Sequence, residues 1–176
     1  MADAFTFANI KIITSMKIPV PLLIIIFSSG CGHPSDKKDK ALDKLDAFIK
    51  QSDSSYHKPY YRTDFVTAWY YINKKDSAIC QVMKDSAQNI RQVVIAKKNV
   101  RTFFASFHPN GQLQADLSLD EFGQYHGNAT YYYASGRIES TGNYEHGIKT
   151  GSWEYFDEKG RLLSTDKYDK SGQLIK

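Results

Sequence analysis

The residues of this 176-residue chain best suited to metal binding or acid–base chemistry are its five histidines. No two of them have the spacing that places two metal ligands on one helix or strand. Three of them fall in or beside predicted turns, which indicates exposed side chains. The sequence therefore predicts neither a metal site nor a cofactor. The histidines are His33, His57, His108, His126 and His146.

Carboxylate pairs offer a second route to chemistry, because two acids can act as general acid and general base. The pairs Asp120–Glu121 and Asp157–Glu158 lie in predicted turns, where acidic residues are frequent. A glycosidase would need two carboxylates facing one cleft, and Ser152 lacks the flanking pattern of a nucleophile elbow. We therefore predict that the protein is not an enzyme. An enzyme with its site in residues 35–100 is the alternative.

The segment "MKIPVPLLIIIFSSGCG", which begins at Met16, has the pattern of an export signal. Lys17 supplies the positive charge, and the apolar stretch 20–27 is too short to span a bilayer. Small residues then lead to Cys31 and resemble the lipobox of bacterial lipoproteins, in which this cysteine carries the lipid. The alternative is an ordinary secretory signal with an incidental cysteine. Residues 1–15 are interpreted as a misassigned start. The predicted signal peptide ends at residue 30, directly before Cys31.

The lipobox resemblance implies a membrane anchor and a place in the bacterial cell envelope. Gly32 follows the cysteine instead of the Asp that retains many lipoproteins in the inner membrane, which implies the outer membrane. Residues 31–40 are polar and are predicted to form the lipidated tether. Lipidation leaves Cys80 as the only other thiol, and its apolar surroundings, "AICQVM", predict a small core residue.

The composition indicates a mainly β protein. Twelve Tyr and ten Phe contribute to an aromatic fraction of 14%, and aromatic side chains fit the pleated, half-buried surface of a strand. The net charge is only +4, with acids and bases mixed along the chain. No basic patch stands out, so we predict no binding of nucleic acid.

Residues 41–100 are predicted to form a short helix followed by an antiparallel meander. Leu42, Leu45 and Phe48 are spaced by three residues, which predicts an amphipathic helix that caps the sheet. Because the predicted turns are short, neighbouring strands should pair antiparallel. The predicted strands are 64–72, 78–84, 90–96 and 100–107.

Residues 101–176 contain a repeat. "FHPNGQL" at 107–113 is matched by "YYASGRI" at 132–138 and "FDEKGRL" at 156–162, and "GQYHGNATYY" at 123–132 is matched by "GIKTGSWEYF" at 147–156. Glycine takes positive φ at low cost, so these motifs predict β-hairpins joined by glycine turns, not a phosphate-binding loop. The predicted turn glycines are Gly111, Gly123, Gly127, Gly136, Gly147, Gly151 and Gly160.

This pattern resembles the bacterial MORN-type repeat of the proteins called YwqK-family antitoxins. The resemblance covers about residues 101–176 and implies hairpin repeats and inhibition of a partner protein. Two positions depart from the pattern: Ala129 stands where the second copy has Trp153, and residues 116–119 lack the glycine of 141–144. The matching residues are Tyr132, Gly136, Gly142, Tyr144, Gly147, Gly151, Trp153, Tyr155, Phe156 and Gly160.

Four aromatic residues, Tyr131, Tyr133, Trp153 and Tyr155, alternate along two equivalent predicted strands and form one candidate ladder. Core packing within the sheet is one interpretation. An exposed face that binds a protein or stacks on sugar rings is the other. We expect a lipid-anchored, non-catalytic envelope protein whose repeats bind or scaffold a protein partner. Binding of envelope glycan through the ladder is the alternative.

Overall fold

The computed structural model describes residues 34–62 and 65–175 of the chain. The predicted signal peptide, Cys31 and the first residues of the predicted tether lie outside the described residues. Within the described part of the chain, no helix is both long enough and apolar enough to cross a membrane.

One helix and eleven strands make up the described residues, and the strands form a single sheet in chain order. Consecutive strands pair antiparallel throughout. The prediction of a mainly β meander with one short N-terminal helix is therefore confirmed. The elements are α1 (Pro34–Lys50), β1 (Ser54–Arg62), β2 (Phe65–Asn73), β3 (Ala78–Lys84), β4 (Ile90–Lys97), β5 (Val100–Phe107), β6 (Leu113–Leu119), β7 (Tyr125–Tyr132), β8 (Ile138–Glu145), β9 (Ile148–Phe156), β10 (Leu162–Tyr168) and β11 (Leu174–Ile175).

The four strands predicted before the repeats are confirmed as β2 to β5. Each predicted boundary agrees with the observed one to within one residue. The turn between β4 and β5 consists of Lys98 and Asn99, both at positive φ (49° and 66°). Two residues at positive φ match the twist of a two-residue hairpin, which explains why so short a turn suffices.

Strand β1 is an element that the sequence analysis does not predict. Its sequence, SSYHKPYYR, contains Pro59, and a proline argues against a central strand. Among the described strands, β1 pairs only with β2 and so lies at the edge of the sheet. An edge strand tolerates proline because one side of its backbone needs no hydrogen-bond partner.

Helix α1 begins at Pro34, within the segment 31–40 that the sequence analysis interprets as a tether. Proline is favoured in the first turn of a helix, and Asp36 there suits the positive end of the helix dipole. Lys37 forms an ion pair with Asp116 of β6. This long-range pair holds the polar first half of the helix on the sheet, and hydrophobic periodicity does not indicate it.

Helix α1 covers one side of the sheet, here called the helix face; the other side is the open face. Ala41 and Leu45, one helical turn apart, are buried in the core. Leu42 and Phe48 pack at the margin of the same core, so the predicted amphipathic helix is confirmed. The sheet residues buried with them are Cys80, Val82, Val93, Ile95, Ala105, Phe107, Leu113 and Tyr132.

Cys80 is fully buried in this core, as the sequence predicts, and its thiol should be inert. Burial raises the pKa of the Cys80 thiol to about 12, so little thiolate forms near neutral pH. We expect iodoacetamide at mildly alkaline pH to leave Cys80 unmodified in the folded protein and to alkylate it in guanidinium chloride. Peptide mass spectrometry measures both. Rapid alkylation of Cys80 in the folded protein would contradict its place in the core.

Five hairpin turns share one geometry, with a glycine at the fourth position. In the turn that begins at Asp157, the Asp157 N–H donates to the Arg161 carbonyl (2.9 Å), and the Gly160 N–H donates to the Asp157 carbonyl (2.8 Å). Gly160 has a φ of +80°, a conformation that other residues rarely adopt. The turns begin at His108, Asp120, Tyr133, Asp157 and Asp169, and their glycines are Gly111, Gly123, Gly136, Gly160 and Gly172.

The other predicted turn glycines occupy two kinds of place. Gly147 forms a two-residue turn with His146, and both have positive φ. Gly127 and Gly151 lie within β7 and β9, at points where the pairing with the preceding strand shifts register. Residues 148–151 therefore belong to β9 and are not part of a turn. Because the turn needs only two residues, β9 already begins at Ile148.

Hydrogen bonds to the Asp157 carboxylate make the stability of its turn depend on pH. The hydrogen bond from the Arg161 backbone N–H has the largest effect and lowers the pKa of Asp157. Burial raises this pKa, whereas hydrogen bonds from the Arg161 side chain and the Lys159 N–H lower it further. A carboxyl group with a lowered folded-state pKa stabilises the fold at neutral pH. This stabilisation declines as the pH falls below the ordinary Asp value of about 3.9, and it is lost as the pH falls through the lowered folded-state pKa.

We therefore expect the Tm to fall as the pH decreases below about 5, and to fall less in the Asp157→Asn variant. Asparagine keeps an oxygen acceptor for the two backbone N–H groups but carries no titrating charge. Thermal melts followed by circular dichroism measure the two pH profiles. Identical profiles would show that this carboxylate contributes nothing to the acid sensitivity of the fold.

Candidate functional site

Trp153, the central residue of the predicted aromatic ladder, is completely buried (0% exposed). Its ring packs against Gly142 of β8, and its Nε1–H donates to the Asn143 carbonyl (3.2 Å). Tyr144 meets the ring edge-on at a centroid distance of 5.2 Å, and the Lys149 Nζ lies 4.0 Å from the ring centroid. Trp153 is therefore a core residue of the repeats and presents no surface to a ligand. For this residue, core packing is the interpretation that holds.

The tyrosines of the ladder use their hydroxyl groups inside the sheet. The Tyr131 and Tyr144 hydroxyl oxygens lie 3.0 Å apart, and the Tyr155 hydroxyl accepts a hydrogen bond from Lys149 Nζ (3.2 Å). Burial, with help from the Tyr144 contact, raises the pKa of Tyr131. Tyr133 lies beyond the end of β7, and its hydroxyl donates to a carbonyl of the next hairpin (2.7 Å). The structure therefore gives all three tyrosines a structural role.

A shallow cleft of about 280 Å³ lies on the open face and is lined in part by Tyr131 of the ladder. Phe104, Tyr125 and Tyr131 supply aromatic walls, and Arg91 and Gln92 supply polar groups. The Phe104 and Tyr125 rings meet edge-on with centroids 5.8 Å apart. This cleft is not predictable from the sequence, because its walls come from both the meander and the repeats and only the strand register brings them together.

The helix face repeats one cross-strand pair, an aromatic residue opposite an aliphatic one, in three successive hairpins. Helix α1 buries the first pair and the aromatic residue of the second, which are 2–3% exposed. The remaining positions of these pairs, Ile138, Phe156 and Leu162, have no helix over them within the described residues and are here called the uncovered stripe. Ile138 is 39% exposed and Leu162 is 55% exposed. The pairs are Phe107–Leu113, Tyr132–Ile138 and Phe156–Leu162, and the uncovered stripe is Ile138, Phe156 and Leu162.

The last two strands add further exposed aliphatic side chains, those of Leu163, Leu174 and Ile175. β11 pairs only with Lys167 and Tyr168 of β10. The outer edge of β10 from residue 162 to 166 therefore has no partner strand within the described part of the chain. An open strand edge beside exposed aliphatic side chains is suited to contact with another protein.

Two of the predicted turn histidines lie together with a carboxylate. The rings of His126 and His146 are 4.9 Å apart, and Asp120 Oδ2 lies 2.8 Å from His146 Nδ1. His108 lies elsewhere, with its Nε2 2.7 Å from the Tyr132 carbonyl. The cluster has no local signature in the sequence, because its members are 6 and 20 residues apart. They meet because alternate turns of an antiparallel meander lie at the same end of the strands.

Strands β7 and β8 form one copy of the repeat, with a glycine-bearing strand, a glycine turn and a returning strand. Residues 125–146 match the family model of the MORN repeat variant. The MORN repeat thus coincides with the β7–β8 hairpin and the first residue of the turn that follows. MORN repeats are generally non-catalytic and suggest a binding or scaffolding module. A comparison with curated proteins finds no match to this chain.

Proposed function

We propose that this chain is a lipid-anchored, non-catalytic protein of the bacterial cell envelope whose MORN repeats bind a partner protein. The observation that carries the proposal is the uncovered stripe, because the positions that α1 buries in the first hairpin are partly or largely exposed in the last. The open edge of β10 and its exposed leucines support the same surface. Within the described residues, Asp120, His126 and His146 lie close enough together to share a metal ion. They are outside residues 35–100, the segment in which the enzyme alternative places its site.

The contact between α1 and the sheet indicates which kind of partner segment suits the stripe. α1 meets the equivalent positions with Ala41 and Leu45, a small and a branched side chain one turn apart. We infer a partner that presents an amphipathic helix with small and aliphatic residues on its apolar side. Each Å² of apolar surface buried in such a contact contributes about 25 cal/mol, so a short stripe gives a modest, reversible interaction unless the edge of β10 also takes part.

The YwqK resemblance gives this proposal an antitoxin-like form, in which binding to the repeats inhibits the partner. The lipobox resemblance of "FSSGCG" supports an anchor at Cys31, with the outer membrane as the location. Metabolic labelling with palmitate tests the anchor: we expect label in the native chain and none in Cys31→Ser. Label that persists in Cys31→Ser would remove the anchor from the proposal and leave the binding surface untouched.

Partner binding is tested by affinity purification of the full-length chain from membranes, followed by quantitative mass spectrometry. We expect a stoichiometric partner that is lost in Leu162→Asp. The matched control is Ile79→Asp, because Ile79 is a similarly exposed aliphatic residue (43% exposed) on another part of the sheet. Equal loss or equal retention in the two variants would reject the uncovered stripe as the binding surface. Recovery of a second copy of this chain alone would replace the partner with self-association.

The open-face cleft favours envelope glycan as a second candidate ligand, since aromatic walls beside Arg91 and Gln92 suit a sugar ring with hydroxyl groups. Retention on cell-wall material should then fall in Tyr125→Ala. Tyr56→Ala is the control, because Tyr56 is an exposed aromatic residue on β1, away from the cleft. Unchanged retention in Tyr125→Ala would exclude this cleft as a glycan site.

A further inference from the structure

Asp120, His126 and His146 form a compact group of side chains suited to metal binding, at the end of the strands where β6 turns into β7. Asp120 directly follows β6, His126 is the second residue of β7, and His146 lies in the turn between β8 and β9. Each residue offers one ligand atom, and the three atoms lie within 4.8 Å of one another. Two imidazoles and one carboxylate are the ligand set of several zinc sites, with water in the fourth position.

The carboxylate of this group is held in place before any metal binds. Asp120 Oδ1 accepts hydrogen bonds from the backbone N–H groups of Phe122 and Gln124, both at 2.9 Å. Its Oδ2 points to His146 Nδ1, and the Asp120 side chain is only 8% exposed. The Asp120 carboxylate is therefore pre-positioned by the turn that carries it.

The two imidazoles can complete the site with small side-chain rotations. Ligand atoms of a tetrahedral zinc ion at 2.0–2.1 Å from the metal lie about 3.3 Å apart. Asp120 Oδ2 and His146 Nδ1 are already closer than this, at 2.8 Å. His126 and His146 are both exposed, so their rings can move by the remaining distance of roughly 1.5 Å without disturbing the core.

The two histidines are not needed to build the turn that carries Asp120. The equivalent turn aspartates receive the same backbone hydrogen bonds, but Asp157 pairs with the Arg161 side chain and Asp169 with the Ser171 hydroxyl. Thr150 occupies the position of His126 in the next copy of the repeat. The histidine pair is therefore a local feature of one pair of neighbouring turns, added to a turn geometry that forms without it.

We propose that Asp120, His126 and His146 bind a Zn²⁺ ion, with a water molecule as the fourth ligand. The ion joins the β6–β7 turn to the β8–β9 turn and so clamps neighbouring MORN hairpins together at one side of the sheet. Its open position faces solvent, where a side chain of another protein can replace the water.

Isothermal titration of the full chain with ZnCl₂, after removal of metal by chelation, tests the site. We expect one Zn²⁺ per chain at this site, and a loss of affinity of about 100-fold or more in His126→Ala and in His146→Ala, since even indirect neighbours of a metal site affect affinity by 10- to 100-fold. His108→Ala is the matched control, because His108 also lies at a turn but outside the group. Thermal melts without metal show whether each variant is folded.

Co²⁺ in place of Zn²⁺ gives a second readout, because a tetrahedral site with two imidazoles produces visible absorption bands. These bands should appear in the unchanged chain and in His108→Ala, and disappear in Asp120→Asn, which keeps the Oδ1 acceptor of the turn. Absence of binding to the unchanged chain, or equal binding in the histidine variants, would overturn the proposal. The Asp120–His146 contact would then serve only as a hydrogen bond between turns.

Discussion

Replacement of Trp153 by alanine is expected to lower the free energy of unfolding by roughly 3–5 kcal/mol, the usual cost of removing a large buried aromatic side chain. Trp153 is fully buried, and its ring is enclosed by Gly142, Tyr144 and Lys149. Alanine would leave a cavity in the thin core of the repeats and would remove the hydrogen bond to the Asn143 carbonyl. Urea unfolding followed by circular dichroism measures the change.

Trp153→Phe is the control for this prediction, because it keeps an aromatic ring and loses the indole N–H. We expect a loss between that of the alanine variant and zero. A change of less than about 1 kcal/mol in Trp153→Ala would mean that Trp153 lies at the surface, as the binding-ladder interpretation requires. Because Trp153 is buried, Trp153→Ala is unsuited to a test of ligand binding, since loss of folding would itself abolish binding.

Gly142→Ala is expected to destabilise the repeats by about 1–3 kcal/mol, although it adds one methyl group. A Cβ atom at this position would lie 2.3 Å from Cδ2 of Trp153, and three atoms of the ring lie within 2.6 Å of it. The backbone of Gly142 is outside the left-handed region, so the cost is steric and not conformational. The ring has no room to retreat, because Lys149 and Tyr144 cover its other sides.

A double-mutant cycle separates this clash from other effects of the glycine. In the Trp153→Ala background, Gly142→Ala should cost little or should stabilise the protein, because its methyl group enters the space of the lost ring. The two changes are therefore expected to be strongly non-additive, and urea unfolding of the four proteins measures the coupling. Additive costs would show that Gly142 is required for a reason other than contact with Trp153.

This contact explains two positions where the sequence departs from the repeat pattern. The earlier copy has Ala129 in place of Trp153, and it also lacks the glycine of residues 141–144. In the structure, Ala129 pairs with Leu117 of the preceding strand. In the later copy, Trp153 is large and Gly142 is small. In the earlier copy, Ala129 is small and Leu117 is large. The departures are one compensated exchange of volume, which a comparison of single positions does not reveal.

Much of the fold could be predicted from local chemistry. Glycines at the fourth position of the turns, short polar segments and dense β-forming residues specify the hairpins, and the meander follows from the short turns. Strand β1 and the start of α1 are harder to predict. Pro59 is acceptable only because β1 is an edge strand, and the polar first turns of α1 are held by Lys37 and its partner in β6.

The candidate sites could be predicted less well, because they depend on the register of distant strands. Parity shows that Trp153 and Tyr155 share a face, but it does not show which face is covered. Within the described residues, the uncovered stripe lies beyond the N-terminal end of α1, whose Lys37 contacts Asp116 of β6, and nothing in the helix sequence specifies that position. The histidine group depends on two turns, 26 residues apart, that the meander places side by side, as the contact between Asp120 and His146 shows.

The central claim is that the uncovered stripe binds a helix of another protein, and site-specific photo-crosslinking in native membranes tests it most directly. A photoreactive amino acid is placed at Leu162, with a matched position at Ile79, and the crosslinked peptides are identified by mass spectrometry. We expect an adduct at position 162 and none at position 79, with the crosslinked residue in an amphipathic helix of one partner protein. Equal adducts at both positions, or none at position 162, would contradict the account.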